Sequence, residues 1–164
     1  MLQITKTIDI DAPVNDVWQK LAKLDDVQNF VDSVTKSYYS SEQKEGVGAE
    51  RTCEVKGFGT LVEEIVEWKD GETLTYTVAG MPPMVKHAQS NWRLERKSHI
   101  QTTVTVTSSM ETRYGLFGAF MEKFAMKPRI TRILEDALSQ FKNYVEQAEA
   151  QTEAEAQPVQ AHVA

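Results

Sequence analysis

Residues 2–18, LQITKTIDIDAPVNDVW, change period partway along. Over 2–10, Leu2, Ile4, Ile8 and Ile10 share one face, and Gln3, Thr5, Thr7 and Asp9 the other. This alternation predicts a half-buried strand, with Lys6 interrupting the apolar face once. Asp11 then offers a helix N-cap, and Pro13 suits a first turn. Val14, Val17, Trp18, Leu21 and Ala22 follow at i, i+3, i+4, i+7 and i+8, the spacing of an amphipathic helix that ends near Leu24. A second short helix is expected over 25–31. The chain therefore begins with a strand that runs directly into two short helices.

Downstream, to about Thr112, the pattern is strands and turns. Six strands are expected, near 34–41, 47–56, 58–69, 72–79, 85–97 and 100–112. Asp70-Gly71 is the strongest hairpin signal, because both central positions of a type I′ turn need φ > 0. Gly46 with Gly48, Gly57 with Gly59, Gly80 with Pro82-Pro83, and Lys97-Ser98-His99 mark the other turns. Alternation is clear at Leu74, Tyr76 and Val78 and at Val104 and Val106. Residues 58–69 are apolar on both faces, so periodicity does not assign their inward side.

Beyond Gly115 the period returns to that of a helix, over about 116–148. Phe117, Phe120, Met121 and Phe124 share one face, followed by Ile130, Ile133, Leu134, Ala137, Leu138, Phe141 and Val145. Pro128 lies within this run and is expected to kink or split it. Residues 149–164 are Ala, Gln and Glu with Pro158 and have no large apolar face. They are expected to form a flexible acidic tail, or a frayed extension of the helix, outside a domain spanning 1–148.

Composition narrows the function. The net charge is −6, and residues 146–164 carry four glutamates and no Lys or Arg, which leaves the body near neutral. Nucleic-acid affinity rests largely on clustered Lys and Arg, so a nucleic-acid partner is not expected. The stretch Lys123, Lys127, Arg129, Arg132 reads as a solvated helix face, with Arg132 placed to pair with Asp136. No apolar run reaches the roughly 20 residues of a membrane span. Cys53 is the lone cysteine, so neither an internal disulfide nor a cysteine-based zinc site is expected. His87 falls on a solvent-facing phase, His99 in a turn and His162 in the tail, which does not suggest a metal site. With no signal-peptide pattern at Met1, a cytoplasmic location is expected. No cofactor motif is present: there is no phosphate loop, GxSxG elbow or HExxH.

The order strand, two short helices, six antiparallel strands and a long helix carries a resemblance. So do Ile8-Asp9-Ile10-Asp11-Ala12-Pro13-Val14 running into Val17-Trp18, and Gly46-Val47-Gly48-Ala49-Glu50-Arg51. Gly59 with Glu63 and Glu67-Trp68, Trp92-Arg93-Leu94, Thr102-Thr103-Val104 and Leu138-Ser139-Gln140-Phe141-Lys142 complete the set. Over about 2–148 the chain resembles the START/polyketide-cyclase-like superfamily (SRPBCC), which includes the birch-pollen-allergen-like proteins. The resemblance implies an α+β helix-grip fold, a seven-stranded curved antiparallel sheet wrapped around a long C-terminal helix. It also implies an internal cavity for lipids, aromatic polyketides or other apolar molecules. It carries over no catalytic residue.

Strand parity locates an entrance independently. Successive turns of an antiparallel meander lie at alternate ends of the sheet. One end gathers 31–34, 57–59, 80–85 and 113–117, with Phe58, Met81, Met84 and Phe117 among their residues. The opposite end, at 41–46, 69–72 and 97–99, is nearly all polar. An apolar rim reads as a ligand portal, as loops folded inward to plug the core, or as a dimer contact. In the portal reading, Phe58, Met81, Met84, Phe117, Phe120, Met121 and Phe124 touch the ligand. Deeper candidates come from phase. Arg51 shares a face with Val47, Ala49, Cys53 and Val55, and would bind a ligand oxygen or pair with Glu63 or Glu64. Tyr76 is in phase with Leu74 and Val78. Ser90 and Trp92 share a face with Ala88 and Leu94. Cys53 has no activating histidine and reads as an inert buried thiol.

The reading that follows is a monomer or weak homodimer that binds or transports a small hydrophobic ligand and needs no cofactor. Two alternatives stay open. One is a cyclase or dehydratase in which Arg51, Tyr76 or Glu63 assists proton transfer. The other is a protein-interaction module that uses the apolar rim.

Overall fold

A computed structural model of the chain describes residues 1–113 and 126–156. Strand β1 (Leu2–Ile10) leads into helix α1 (Val14–Ala22) and a short 3₁₀ helix, Leu24–Asn29. Six strands follow: β2 (Val34–Tyr39), β3 (Glu50–Val55), β4 (Gly59–Lys69), β5 (Thr73–Ala79), β6 (Val85–Arg96) and β7 (Thr102–Thr112). Helix α2 spans Lys127–Ala156. The seven strands form one antiparallel sheet in the order β1-β7-β6-β5-β4-β3-β2, so β1 closes on the last strand of the meander. This is the helix-grip α+β architecture.

One face of the sheet is apolar because each strand alternates, and α1 and α2 cover that face. Ile10, Ile65, Leu74, Val104 and Val106 from the sheet meet Val17 of α1 and Phe141 and Val145 of α2 in one buried cluster. Phe141 is its centre, fully buried, with ring centroids 5.0 Å from Phe30 and 5.6 Å from Trp92. Trp18 packs edge-on against Trp68 at 5.2 Å. A smaller cluster of Val85, Ala88 and Met110 takes Met81, Met126 and Ile130 on its flank.

Polar contacts fix α2 along the sheet edge. Lys6, the break in the β1 pattern, reaches Glu135 at 2.5 Å. Lys142 Nζ donates to the Asp9 carbonyl at 2.6 Å, and Asp11 N–H to Glu146 at 2.8 Å. Buried Asp26 accepts from Tyr144 at 2.5 Å, Asn29 at 2.6 Å and Lys23 at 3.2 Å, tying the 3₁₀ helix to α2.

Several expectations change in detail. Asp11 does not cap α1: Pro13 holds the cap position and no side chain bonds there, while the Asp11 carboxylate accepts from Gln101 at 2.6 Å. The Asp70-Gly71 hairpin is not type I′. Gly71 alone has positive φ, at 71°, and the loop has three residues closed by Glu72 N–H to the Lys69 carbonyl at 3.0 Å, a geometry that needs a single left-handed position. Strand β3 starts at Glu50, and Val47 stands exposed in the preceding turn. Residues 58–69 resolve through a bulge between Ile65 and Glu67. The extra residue shifts the phase, so Ile65 and Trp68 both face the core cluster, while Leu61 is buried against the cavity. Pro128 does not interrupt the described helix. The residues that a kink or split at Pro128 would involve on its N-terminal side lie outside the described ones. Helix α2 also continues past residue 148, through Ala156. No described helix is long and apolar enough to cross a membrane.

Candidate functional site

Between the sheet and α2 the core is not filled. A cavity of about 230 Å³ lies there, walled by the 3₁₀ helix and its flanks (Leu24, Val27, Phe30, Val31), by the inner face of β3 to β7, and by Ile130, Ile133, Leu134 and Ala137 of α2. Phe58 and Met81 reach it from the loops at one end of the sheet.

The wall is mostly apolar; Ser33 and Gln89 border it, and a run of polar side chains crosses the strands. Arg51 on β3 stands directly opposite Glu63 on β4, Tyr76 on β5 opposite Ser90 on β6, and Ser90 opposite Ser108 on β7. All five side chains line the cavity. The run is not level: Glu63 faces Val78 and Tyr76 faces Ile65, so it steps by two residues between β4 and β5. Arg51 is largely withdrawn from water and is held by two hydrogen bonds and a ring. Its Nε donates to Glu63 at 2.5 Å, its Nη1 donates to the Leu24 carbonyl at 2.8 Å, and its guanidinium lies 5.3 Å from the Tyr76 ring centroid. Burial works against the Arg51 charge, but the Glu63 carboxylate more than offsets it and holds the guanidinium protonated above its ordinary range. Burial, reinforced by the Glu63 charge, pushes the Tyr76 hydroxyl up to about 12, so it can donate a hydrogen bond but does not act as a base near neutrality. Burial likewise raises the Cys53 thiol, whose Sγ lies 3.6 Å from Ser37 Oγ, which suits an inert thiol. Trp92 also lines the cavity, with its Nε1–H buried beside the Tyr76 hydroxyl, where it works against the rise that burial causes.

The structure therefore brings together Arg51, Tyr76, Ser90, Trp92, Phe58 and Met81 around one space. Met84 does not join them. A turn closed by Val85 N–H to the Pro82 carbonyl at 2.8 Å sends Val85 inward and leaves Met84 exposed. Phe117, Phe120, Met121 and Phe124 lie outside the described residues. Ser108 is a lining residue that the sequence reading missed, although its phase with Val104, Val106 and Met110 carries the signal. The choice of Glu63 over Glu64 as the Arg51 partner needed the β3–β4 register. Among the described residues no His, Cys, Asp and Glu group could hold a metal ion.

A sheet gripping a helix around an internal cavity defines a START-like ligand-cavity protein. Residues 1–146 match the family described as polyketide cyclase / dehydrase and lipid transport, and the chain belongs to that family. Solved structures share the fold at low identity. The Zhui aromatase/cyclase from Streptomyces sp. R1128 superposes with a TM-score of 0.75 at 17% identity, covering 89% of this chain and 94% of that one. A protein from Thermus thermophilus gives 0.72 at 16%, covering 90% and 99%. A START superfamily protein from Mycobacterium smegmatis gives 0.70 at 10%, covering 89% and 98%. No curated relative matches the chain in sequence.

Proposed function

We propose that this protein binds and carries a small, mostly apolar molecule bearing at least one oxygen, of lipid-like or aromatic polyketide-like character. The observation that carries the reading is the cavity: apolar on most of its wall, crossed by a polar stripe, and enclosed by the same elements that form the core. Apolar pockets with a few placed polar groups are the general form of small-molecule sites. Native mass spectrometry of freshly purified protein tests the reading, together with binding of an apolar dye. The Ala88→Phe variant, which fills the cavity from β6, should lose both the retained mass and the dye response while keeping the fold. Wild-type protein that carries no small molecule and binds no dye would overturn it.

A cyclase or dehydratase is the second reading, favoured by the convergence of Arg51, Glu63 and Tyr76 on one wall. The carrier reading ranks first because Arg51 and Glu63 satisfy each other and the Tyr76 hydroxyl is held neutral. Conversion of a poly-β-ketone by the purified protein, lost in Tyr76→Phe, would reverse that order. A cytoplasmic location and a monomeric or weakly dimeric state belong to the same proposal, and light scattering checks the latter.

A further inference from the structure

A groove adjoins the cavity, and Ser33, Val55, Phe58 and Ile133 border both spaces. The charged groups of that groove are Lys56, Arg129, Arg132 and Asp136. Three cations against one carboxylate is a local excess of positive charge on a chain whose net charge is −6.

What sets these cations apart is their grouping in one groove beside the cavity. Other bases pair with acids, such as Lys6 with Glu135 and Lys86 with Glu111, or lie singly over aromatic rings, such as Lys36 over Tyr38. Arg132 and Asp136 are spaced for an i, i+4 pair on α2, and the sequence predicts one, yet among the described residues neither makes an ion pair. Among the same residues Arg129 has no carboxylate partner either. Its guanidinium lies 5.0 Å from the centroid of Phe58, the ring that borders both spaces. Lys56 Nζ is held at the same rim by the Asp32 carbonyl, at 3.2 Å. Cations with no protein anion, grouped in a groove that borders an apolar cavity, suit a ligand that is apolar at one end and negatively charged at the other.

Resting on the reading of the cavity as a ligand site, we infer that the ligand is an anionic amphiphile. Its apolar body occupies the cavity, and its carboxylate or phosphate head is held by Arg129 and Arg132, with Lys56 beside them. Guanidinium groups match both oxyanions through two-pronged hydrogen bonds, which gives the site a preference that a neutral apolar ligand cannot exploit. Three cations beside a cavity form a headgroup site and are too few to track a polyanion.

Isothermal titration of the full chain with decanoate, decyl phosphate, decanol and decyltrimethylammonium, each below its micelle concentration, tests the inference. The anionic ligands should bind on the order of tenfold more tightly than decanol, with the cationic one weakest. Their affinity should fall with added salt while that of decanol does not. Decanoate and decyl phosphate together separate a carboxylate from a phosphate preference. Arg129→Gln/Arg132→Gln should bring the anions down to the decanol level and leave decanol unchanged. Should the double variant fail to fold, Arg132→Gln alone, which removes no ion pair, carries the test with the wild-type salt series. Equal affinity for decanoate and decanol, or a salt-independent decanoate affinity, overturns the headgroup assignment. If none of the four ligands binds, the cavity reading itself falls.

Discussion

Replacing Glu63 with leucine should be among the most damaging single changes in the β3–β4 pair. The Arg51 side chain retains only 11% exposure, and Glu63 13%. Removing the carboxylate leaves a buried guanidinium with one carbonyl contact, from Nη1 to Leu24 O at 2.8 Å. Breaking a buried pair by deleting one partner costs roughly 3–5 kcal/mol, because the remaining charge is stranded. For a domain of this size that corresponds to a fall in Tm of roughly 6–20 °C. The double replacement Arg51→Met/Glu63→Leu strands no charge. The Leu24 carbonyl loses the Arg51 donor but keeps a longer contact from Ser37 Oγ at 3.4 Å, so the cost should be no more than about 1–3 kcal/mol. The double variant should therefore be more stable than Glu63→Leu, and its loss far below the sum of the two single losses. Urea unfolding followed by tryptophan fluorescence measures all four corners of the cycle. A Glu63→Leu loss under about 1 kcal/mol, or additivity of the two changes, would refute the view that this pair is buried and mutually neutralising.

Phe141→Ala removes the ring at the centre of the core and should cost about 3–5 kcal/mol by chemical denaturation, with dye binding retained in the folded fraction. Gly80 has φ 84°, and an added Cβ would sit 2.5 Å from the Thr60 carbonyl, so Gly80→Ala should lose about 1–3 kcal/mol. Gly59→Ala, with similar φ but open space around it, should lose less in the same assay. Burial pushes the Asp26 carboxyl up, but hydrogen bonds from Tyr144, Lys23 and Asn29 outweigh it and hold it below its ordinary value. Its stabilising contribution is present above the unfolded carboxylate pKa, about 3.9, and is lost as pH falls through the lower folded value. Unfolding free energy measured against pH should therefore drop below about pH 4, and Asp26→Asn should flatten that limb.

The helix-grip architecture was legible because its signals are periods. The switch from alternation over 2–10 to the spacing of Val14, Val17, Trp18 and Leu21 marks β1 and α1, and the glycine punctuation separates the remaining strands. Features set by pairing were not legible. The bulge beside Val66 inserts one residue, so a strict period of two misplaces Trp68. Arg51, Tyr76 and Ser90 could each be assigned inward from phase alone. How they line up, with a two-residue step between β4 and β5 and an end at Ser108, follows from register between strands. The Asp11 carboxylate was drawn to Gln101 by the folding of residues some ninety positions apart, a competition that local cap rules do not contain.

The placement of β1 bears on how the chain reaches this state. Its partner across the whole register is β7, from Leu2 opposite Met110 to Ile10 opposite Thr102. The first strand to leave the ribosome thus has no sheet neighbour until the last strand has been made. The five hairpin pairings from β2 to β7 can zip locally, whereas docking β1 closes the largest loop in the sheet and should come late and slowly. Until then the alternating residues of 2–10 and the open edge of β7 are unsatisfied pairing surfaces, and each matches the corresponding strand of another nascent copy. Exchange of β1 between copies is therefore the misassembly to which this topology is most exposed during synthesis.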